Sequence, residues 1–139
     1  MKRALTYTLP RPFSNYNIPI AIQSFYIRDY CIKKKLIFSL PITEISNENC
    51  YIMFKKNFLK KKITLVMTSV FMLPIINKKL FNDVISGINR LSELHFVLEN
   101  LVLKKKDFCI WVKEYNLLSK FSKNYSDFNI LQEKNYLKN

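Results

Sequence analysis

ITLVMTSVFMLP, residues 63–74, is the stretch that decides the fold. Its first five residues are apolar or β-branched, and Thr68–Ser69 then interrupts them. A continuous apolar run of that length reads as a strand covered on both faces. Extended to Ile76, the run still falls short of the roughly 18 residues needed to cross a bilayer. It is also broken by Thr64, Thr68, Ser69 and Pro74, so no membrane span is expected.

Three further runs match it: LTYTL at 5–9, LIFSL at 36–40 and LHFVL at 94–98. Between them the apolar spacing becomes helical. In residues 77–90, Leu80, Phe81, Val84, Ile85 and Ile88 fall on one face, with Asn77 as the N-cap. Residues 107–122 carry Phe108, Trp111, Val112, Tyr115 and Leu118 at the same spacing. A helix starting at Pro19 extends to about Lys34, and a shorter one covers about 49–59. Strand followed by helix, four times over, predicts an α/β fold. The expectation is a single three-layer domain over residues 1–123, with a mostly parallel four-stranded sheet flanked by helices. A polar C-terminal tail follows at 124–139.

Composition narrows the function. The chain has 139 residues, 49% hydrophobic and 24% charged, which suits one folded domain. Its start, MKRALTYTLPRPF, lacks a sustained apolar stretch, so no secretory signal is expected and the location is read as cytoplasmic. Three cysteines (Cys31, Cys50, Cys109) and one histidine (His95) form no metal-ligand spacing, and no metal is expected. Gly87 is the sole glycine and falls inside a helix, so no phosphate loop exists and no cofactor is expected. The net charge of +13 comes from 19 lysines and only 4 arginines, in short lysine clusters without interleaved aromatics. Phosphate-gripping proteins favour arginine, so a solvated surface is the reading and nucleic acid is disfavoured. Where an arginine stands, its planar fork is expected to matter.

In an open α/β sheet, ligands bind beyond the carboxyl ends of the strands. That rule selects Arg11, Glu44, Ser69 and Glu99, with Gln23 one turn into the first helix. Arg11 and Gln23 suit binding, Ser69 suits a hydrogen bond to a ligand or a turn, and Glu44 with Glu99 suit acid–base catalysis. His95 reads as a structural histidine within its strand. Cys31 reads as a core cysteine, and Arg28–Asp29 as part of an ion pair with another element.

Several stretches together resemble a bacterial family, the sporadic carbohydrate cluster proteins. They are RPFSNYNIPIAIQSFYIRDYC (11–31), TEISNENCYIM (43–53), TSVFMLP (68–74) and ELHFVLENL (93–101). The resemblance implies a role in surface-polysaccharide biosynthesis and a sugar or nucleotide sugar as ligand, but no catalytic residues. A looser similarity joins the chain to the serine recombinase catalytic domain and implies a resolvase-like fold. Pro12-Phe13-Ser14 after Arg11 breaks that domain's Arg-x-Ser signature, and Met72-Leu73-Pro74 stands where its Asp-Arg-x-x-Arg run would be. The leading expectation is therefore a small protein that binds or modifies an anionic sugar or nucleotide sugar at the carboxyl edge. The alternatives are a non-catalytic, homodimeric partner of a glycan-modifying enzyme and a nucleic-acid-binding protein with the recombinase-like fold.

Overall fold

A computed structural model describes residues 1–13, 17–47, 50–58, 62–73, 78–88 and 90–107, with Ile110, Trp111, Lys113, Glu114 and Leu117 in helical conformation. Asn77, Phe108, Cys109, Val112, Tyr115, Leu118 and the segment 124–139 lie outside the described residues, as do the side chains of Leu80, Val84 and Ile85. The chain divides into two compact units, Met1–Phe108 and Cys109–Asn139.

The first unit is α/β. Its elements are β1 (Arg3–Thr8), α1 (Ile20–Lys33), β2 (Ile37–Phe38), β3 (Ile42–Thr43), α2 (Ile52–Asn57), β4 (Thr64–Met67), α3 (Lys78–Ile88), β5 (Glu93–Phe96) and β6 (Leu101–Lys104). All six strand segments belong to one sheet, in the order β2–β1–β4–β5–β6, with β3 also on β1. β1 runs parallel to β2, β3 and β4, and β4 runs parallel to β5.

Two expectations are corrected. The strand read at 36–40 is an edge strand broken in two. Ala4 faces Phe38 and Tyr7 faces Ile42, so the edge carries one residue more than β1 between those pairs. Pro41, which has no N–H to give a ladder, sits in the break. Thr6 Oγ1 fills the gap by donating to the Ser39 carbonyl at 2.9 Å, and Arg3 Nε donates to Ser39 Oγ at 3.1 Å. The second correction concerns the fourth strand–helix unit. β5 leads not into a helix but through a turn at residues 97–100 into β6, which returns antiparallel. Asn100 makes that turn at φ 48°, a left-handed conformation that asparagine tolerates better than most residues. With the broken edge counted as one strand, the sheet has five members rather than four, in the order second–first–third–fourth–fifth.

Side-chain alternation gives the sheet two unlike faces. On one, Ala4 and Val66 pack with Ile27, Tyr30 and Cys31 of α1, and Leu36, Phe38 and Val97 close the margin. This face also buries Thr6, Thr8, Thr68 and His95. The opposite face buries Tyr7, whose ring meets Phe54 of α2 edge-on at 5.1 Å and Phe58 at 5.7 Å. α2 has only six residues, too few to hold a helix alone, and these rings anchor it.

α1 starts at Pro19, whose carbonyl accepts from the Ile22 and Gln23 amides. It ends through Lys35 at φ 55°, with the Leu36 amide returning to the Cys31 carbonyl at 2.8 Å. Glycine usually takes such a position. Here lysine bears the strain.

Candidate functional site

Because β1, β3, β4 and β5 are parallel, their carboxyl ends share one rim. The order of strands reverses between β1 and β4, and crevices open at such switch points. All five residues selected from the sequence lie in the segments that form this rim, but in different networks.

Arg11 leaves the end of β1 and reaches into the loop between β3 and α2. Its Nη1 donates to the carbonyls of Ile45 (3.3 Å) and Asn47 (2.9 Å), and its Nη2 to that of Cys50 (2.9 Å). The guanidinium lies 5.0 Å from the centre of the Tyr51 ring. The chain bends at Pro10 and Arg11, where the two prolines restrict the backbone that carries the fork. Carbonyls orient this cation but do not neutralise it. Among the described residues, no carboxylate lies within ion-pair distance of it.

Glu44 sits at the base of the same loop and is buried. Its Oε2 accepts from Tyr7 OH (2.9 Å) and the Phe54 amide (3.0 Å). Its Oε1 accepts from the amides of Ile45 (2.9 Å) and Met53 (3.1 Å), with Cys50 Sγ at 3.8 Å. The first turn of α2 has no cap of its own, so a carboxylate from β3 satisfies its free amides. Five donors on two oxygens fill the carboxylate's acceptor sites. Burial, then the adjacent Glu44 charge, drives the Tyr7 hydroxyl far above its ordinary range, so Tyr7 serves as a permanent donor. Burial also raises the Tyr51 hydroxyl, against the opposing pull of Arg11.

Gln23 is fully buried. Its amide nitrogen donates to the carbonyls of Leu9 (2.7 Å) and Ile18 (2.8 Å), and its oxygen accepts from the Leu9 amide (3.0 Å). It thereby supplies the end of β1 with the ladder partner it lacks. Ser69 is buried too. Its hydroxyl donates to Glu99 Oε1 at 2.5 Å and accepts from the Phe71 amide at 3.2 Å, capping a short 3₁₀ turn at Val70–Met72. Glu99 is exposed and also takes the Val70 amide at 3.2 Å. Beside this turn, the buried hydroxyl of Thr68 has no hydrogen-bond partner among the described residues.

Thus the structure brings Arg11 together with Glu44, and Ser69 with Glu99. The two carboxylates expected to act as an acid–base pair occupy separate networks, one buried and saturated, the other at the surface. Tyr51 joins the halves: its hydroxyl donates to the Met72 carbonyl at 2.7 Å. Tyr7 and Tyr51 went unmarked in the sequence. Tyr7 alternates with Leu5 and Leu9, and a phenol in such an apolar row requires a buried acceptor.

A second polar cluster lies at the opposite, amino edge. Lys2 Nζ meets Glu93 Oε1 at 3.0 Å, Glu93 Oε2 meets His95 Nε2 at 3.1 Å, and His95 Nδ1 meets Tyr30 OH at 2.8 Å. His95 is buried, and burial lowers its pKa below the ordinary 6.5. Each group has a partner, which fits the structural reading of His95. Cys31 also sits in the core, its thiol pushed up to about 11 by burial. Asp29 pairs within its own helix, with Lys33 at 2.7 Å, rather than with another element. Lys2, the Lys33–Lys35 cluster, Lys62 and Lys104 all lie at or next to this amino edge, away from the rim.

α1 has a further feature that its sequence pattern could have disclosed. Opposite its buried face it exposes Ile22 (44%), Phe25 (65%), Tyr26 (40%) and Ile32 (66%). Ile22, Phe25, Asp29 and Ile32 recur at intervals of three and four along that side.

Among the described residues, no group of three histidine, cysteine, aspartate or glutamate side chains could hold a metal ion, and no helix is long and apolar enough to cross a membrane. No protein-family model, curated protein or solved structure matches this chain.

Proposed function

We propose that this protein binds an anionic sugar or nucleotide sugar at the carboxyl rim of its sheet, as a small cytoplasmic component of surface-carbohydrate biosynthesis. The supporting observation is the Arg11 cation, fixed by three carbonyls of the β3–α2 loop at the carboxyl rim, with no carboxylate among the described residues paired to it. A guanidinium fixed by neutral carbonyls suits a carboxylate or phosphate ligand. The Thr68 hydroxyl beneath the same rim adds a buried polar group without a partner among the described residues. The carbohydrate setting rests on the resemblance of residues 11–31, 43–53, 68–74 and 93–101 to the sporadic carbohydrate cluster family. α1 and α2 on opposite faces, with the doubly wound strand order, support the three-layer, resolvase-like reading of the fold.

Binding fits the rim better than turnover. Glu44 is saturated by donors and Gln23 by backbone, so both shape the rim rather than face a ligand. The test is calorimetric titration with UDP-glucose and with glucuronate. We expect Arg11→Gln to weaken binding at least about 10-fold, the loss of a charge-assisted pair. Binding that is undetectable in the unaltered protein, or that Arg11→Gln leaves unchanged, would defeat the reading.

A further inference from the structure

The outer side of α1 is a second surface, independent of the rim. A helix on the outside of a domain normally turns polar residues to solvent. α1 instead carries an apolar stripe on each side. The inner one holds Ile27, Tyr30 and Cys31 against the sheet. The outer one is Ile22, Phe25, Asp29 and Ile32, flanked by Tyr26, whose ring lies 6.4 Å from that of Phe25. Intervals of three, four and three residues define the a and d positions of a helix-pairing seam.

We infer that two copies of this chain associate through these outer stripes, with the two α1 helices antiparallel. In that arrangement a positions face d positions, and the stripe reads the same from both ends. Ile22 meets the second copy's Ile32, and Phe25 meets the second copy's Asp29, with the two-fold axis near Ile27. Such a self-complementary patch is what an isologous interface requires. A parallel pairing would set Asp29 against the second copy's Asp29, which like-charge repulsion disfavours.

This face escapes the positive charge that opposes self-association elsewhere. The whole molecule carries +13, so most of its surface repels a second copy. Along the seam, Asp29 and Lys33 neutralise each other. The Arg28 side chain, exposed beside it, can reach the second copy's Asp29. The exposed parts of the four apolar side chains amount to on the order of 400 Å² per copy. Two copies would thus bury roughly 800 Å² from these groups alone, and the Arg28 and Lys33 stems add to it, an area that suits transient association rather than a permanent assembly. Such an area suits a weak, reversible dimer. Because net repulsion opposes it and apolar burial drives it, added salt strengthens it, whereas salt would weaken docking to an acidic partner.

Sedimentation velocity on the full chain tests this. The unaltered protein should run as a dimer at about 100 μM, more completely at 0.5 M than at 0.05 M salt. Phe25→Glu should raise the dissociation constant at least about 100-fold while leaving the circular dichroism spectrum unchanged. A monomer at every concentration and salt, or a dimer indifferent to Phe25→Glu, would overturn the inference. Orientation is read by oxidising a mixture of Ile22→Cys and Ile32→Cys chains and mapping the linked peptides. Antiparallel helices give 22–32 links, since the two 22 positions lie about 15 Å apart along the axis. Predominant 22–22 links would overturn the antiparallel arrangement. None of these outcomes depends on the rim, so sugar binding and dimer formation stand or fall separately.

Discussion

Two carboxylates sit at the same rim and live in opposite conditions. Glu44, at the β3–α2 corner, is buried under five donors. Glu99, in the β5–β6 turn, is exposed and takes one hydroxyl and one amide. The first completes a helix that would otherwise begin with bare amides. The second ties down a turn that solvent can also reach. Residue type and position along the sheet made them look equivalent, and their surroundings made one structural and the other available.

That contrast is best broken at its stronger end. Glu44→Ala would leave the buried Tyr7 hydroxyl and Phe54 amide, and the half-buried Met53 amide, without this acceptor. We expect a loss of about 3–5 kcal/mol in urea unfolding. Glu44→Gln, which keeps one acceptor oxygen, should lose about half as much. A loss below about 1 kcal/mol for the alanine variant would show that the corner relaxes without its carboxylate.

Next in size is the neighbour of Glu44. Arg11→Lys keeps the charge but cannot reach three carbonyls at once. It should cost about 1–2 kcal/mol and speed amide hydrogen exchange selectively near the β3–α2 loop. Uniform acceleration throughout the sheet would instead mark Arg11 as a global support.

A third carboxylate, Glu93, extends the comparison to the amino edge. Its pKa lies below the ordinary 4.5, chiefly through its hydrogen bond to His95 and then that to Lys2. Its contribution to stability is complete above the unfolded pKa and disappears as the pH falls through the lower folded value. The His95 imidazole is also lowered, by burial, so the unfolded chain takes up that proton first as pH falls below 6.5. Both effects have the same sign. Stability should decline as the pH drops from 6.5, and decline again below 4.5. In His95→Gln the upper decline should vanish in urea melts taken from pH 7.5 to 5, and an unaltered slope would refute the assignment.

The weak end of the contrast predicts small numbers. Glu99→Gln keeps an acceptor for the Ser69 hydroxyl in a solvated turn and should cost less than about 1 kcal/mol. Asn100→Gly, in the same turn, should gain about 0.5 kcal/mol by relieving its left-handed backbone. A large loss from either variant would make the β5–β6 turn as structural as the Glu44 corner.

What could be read from the sequence follows the range of the forces involved. Strands at 5–9, 63–67 and 94–98 and helices at 19–34 and 77–90 declare themselves through apolar spacing, which is local. They correspond closely to β1, β4, β5, α1 and α3. Parallel alternation then implies a shared carboxyl rim, so the neighbourhood of Arg11, Gln23, Glu44, Ser69 and Glu99 was legible. The broken edge at Pro41 and the return of β6 were not, because pairing partners decide them rather than neighbours in the chain.

Local pattern, then, determined where the elements lie and which polar residues gather at one rim, since burial of apolar surface is periodic in sequence. Tertiary structure alone decided what each polar residue does there. Every buried amide and hydroxyl seeks a partner, and which ones lack a partner is known only after the chain has closed. Glu44 serves α2 because that helix begins uncapped beneath it, Gln23 serves Leu9 because β1 outruns its ladder, and Arg11 is held by the carbonyls of the loop that the fold brings to it.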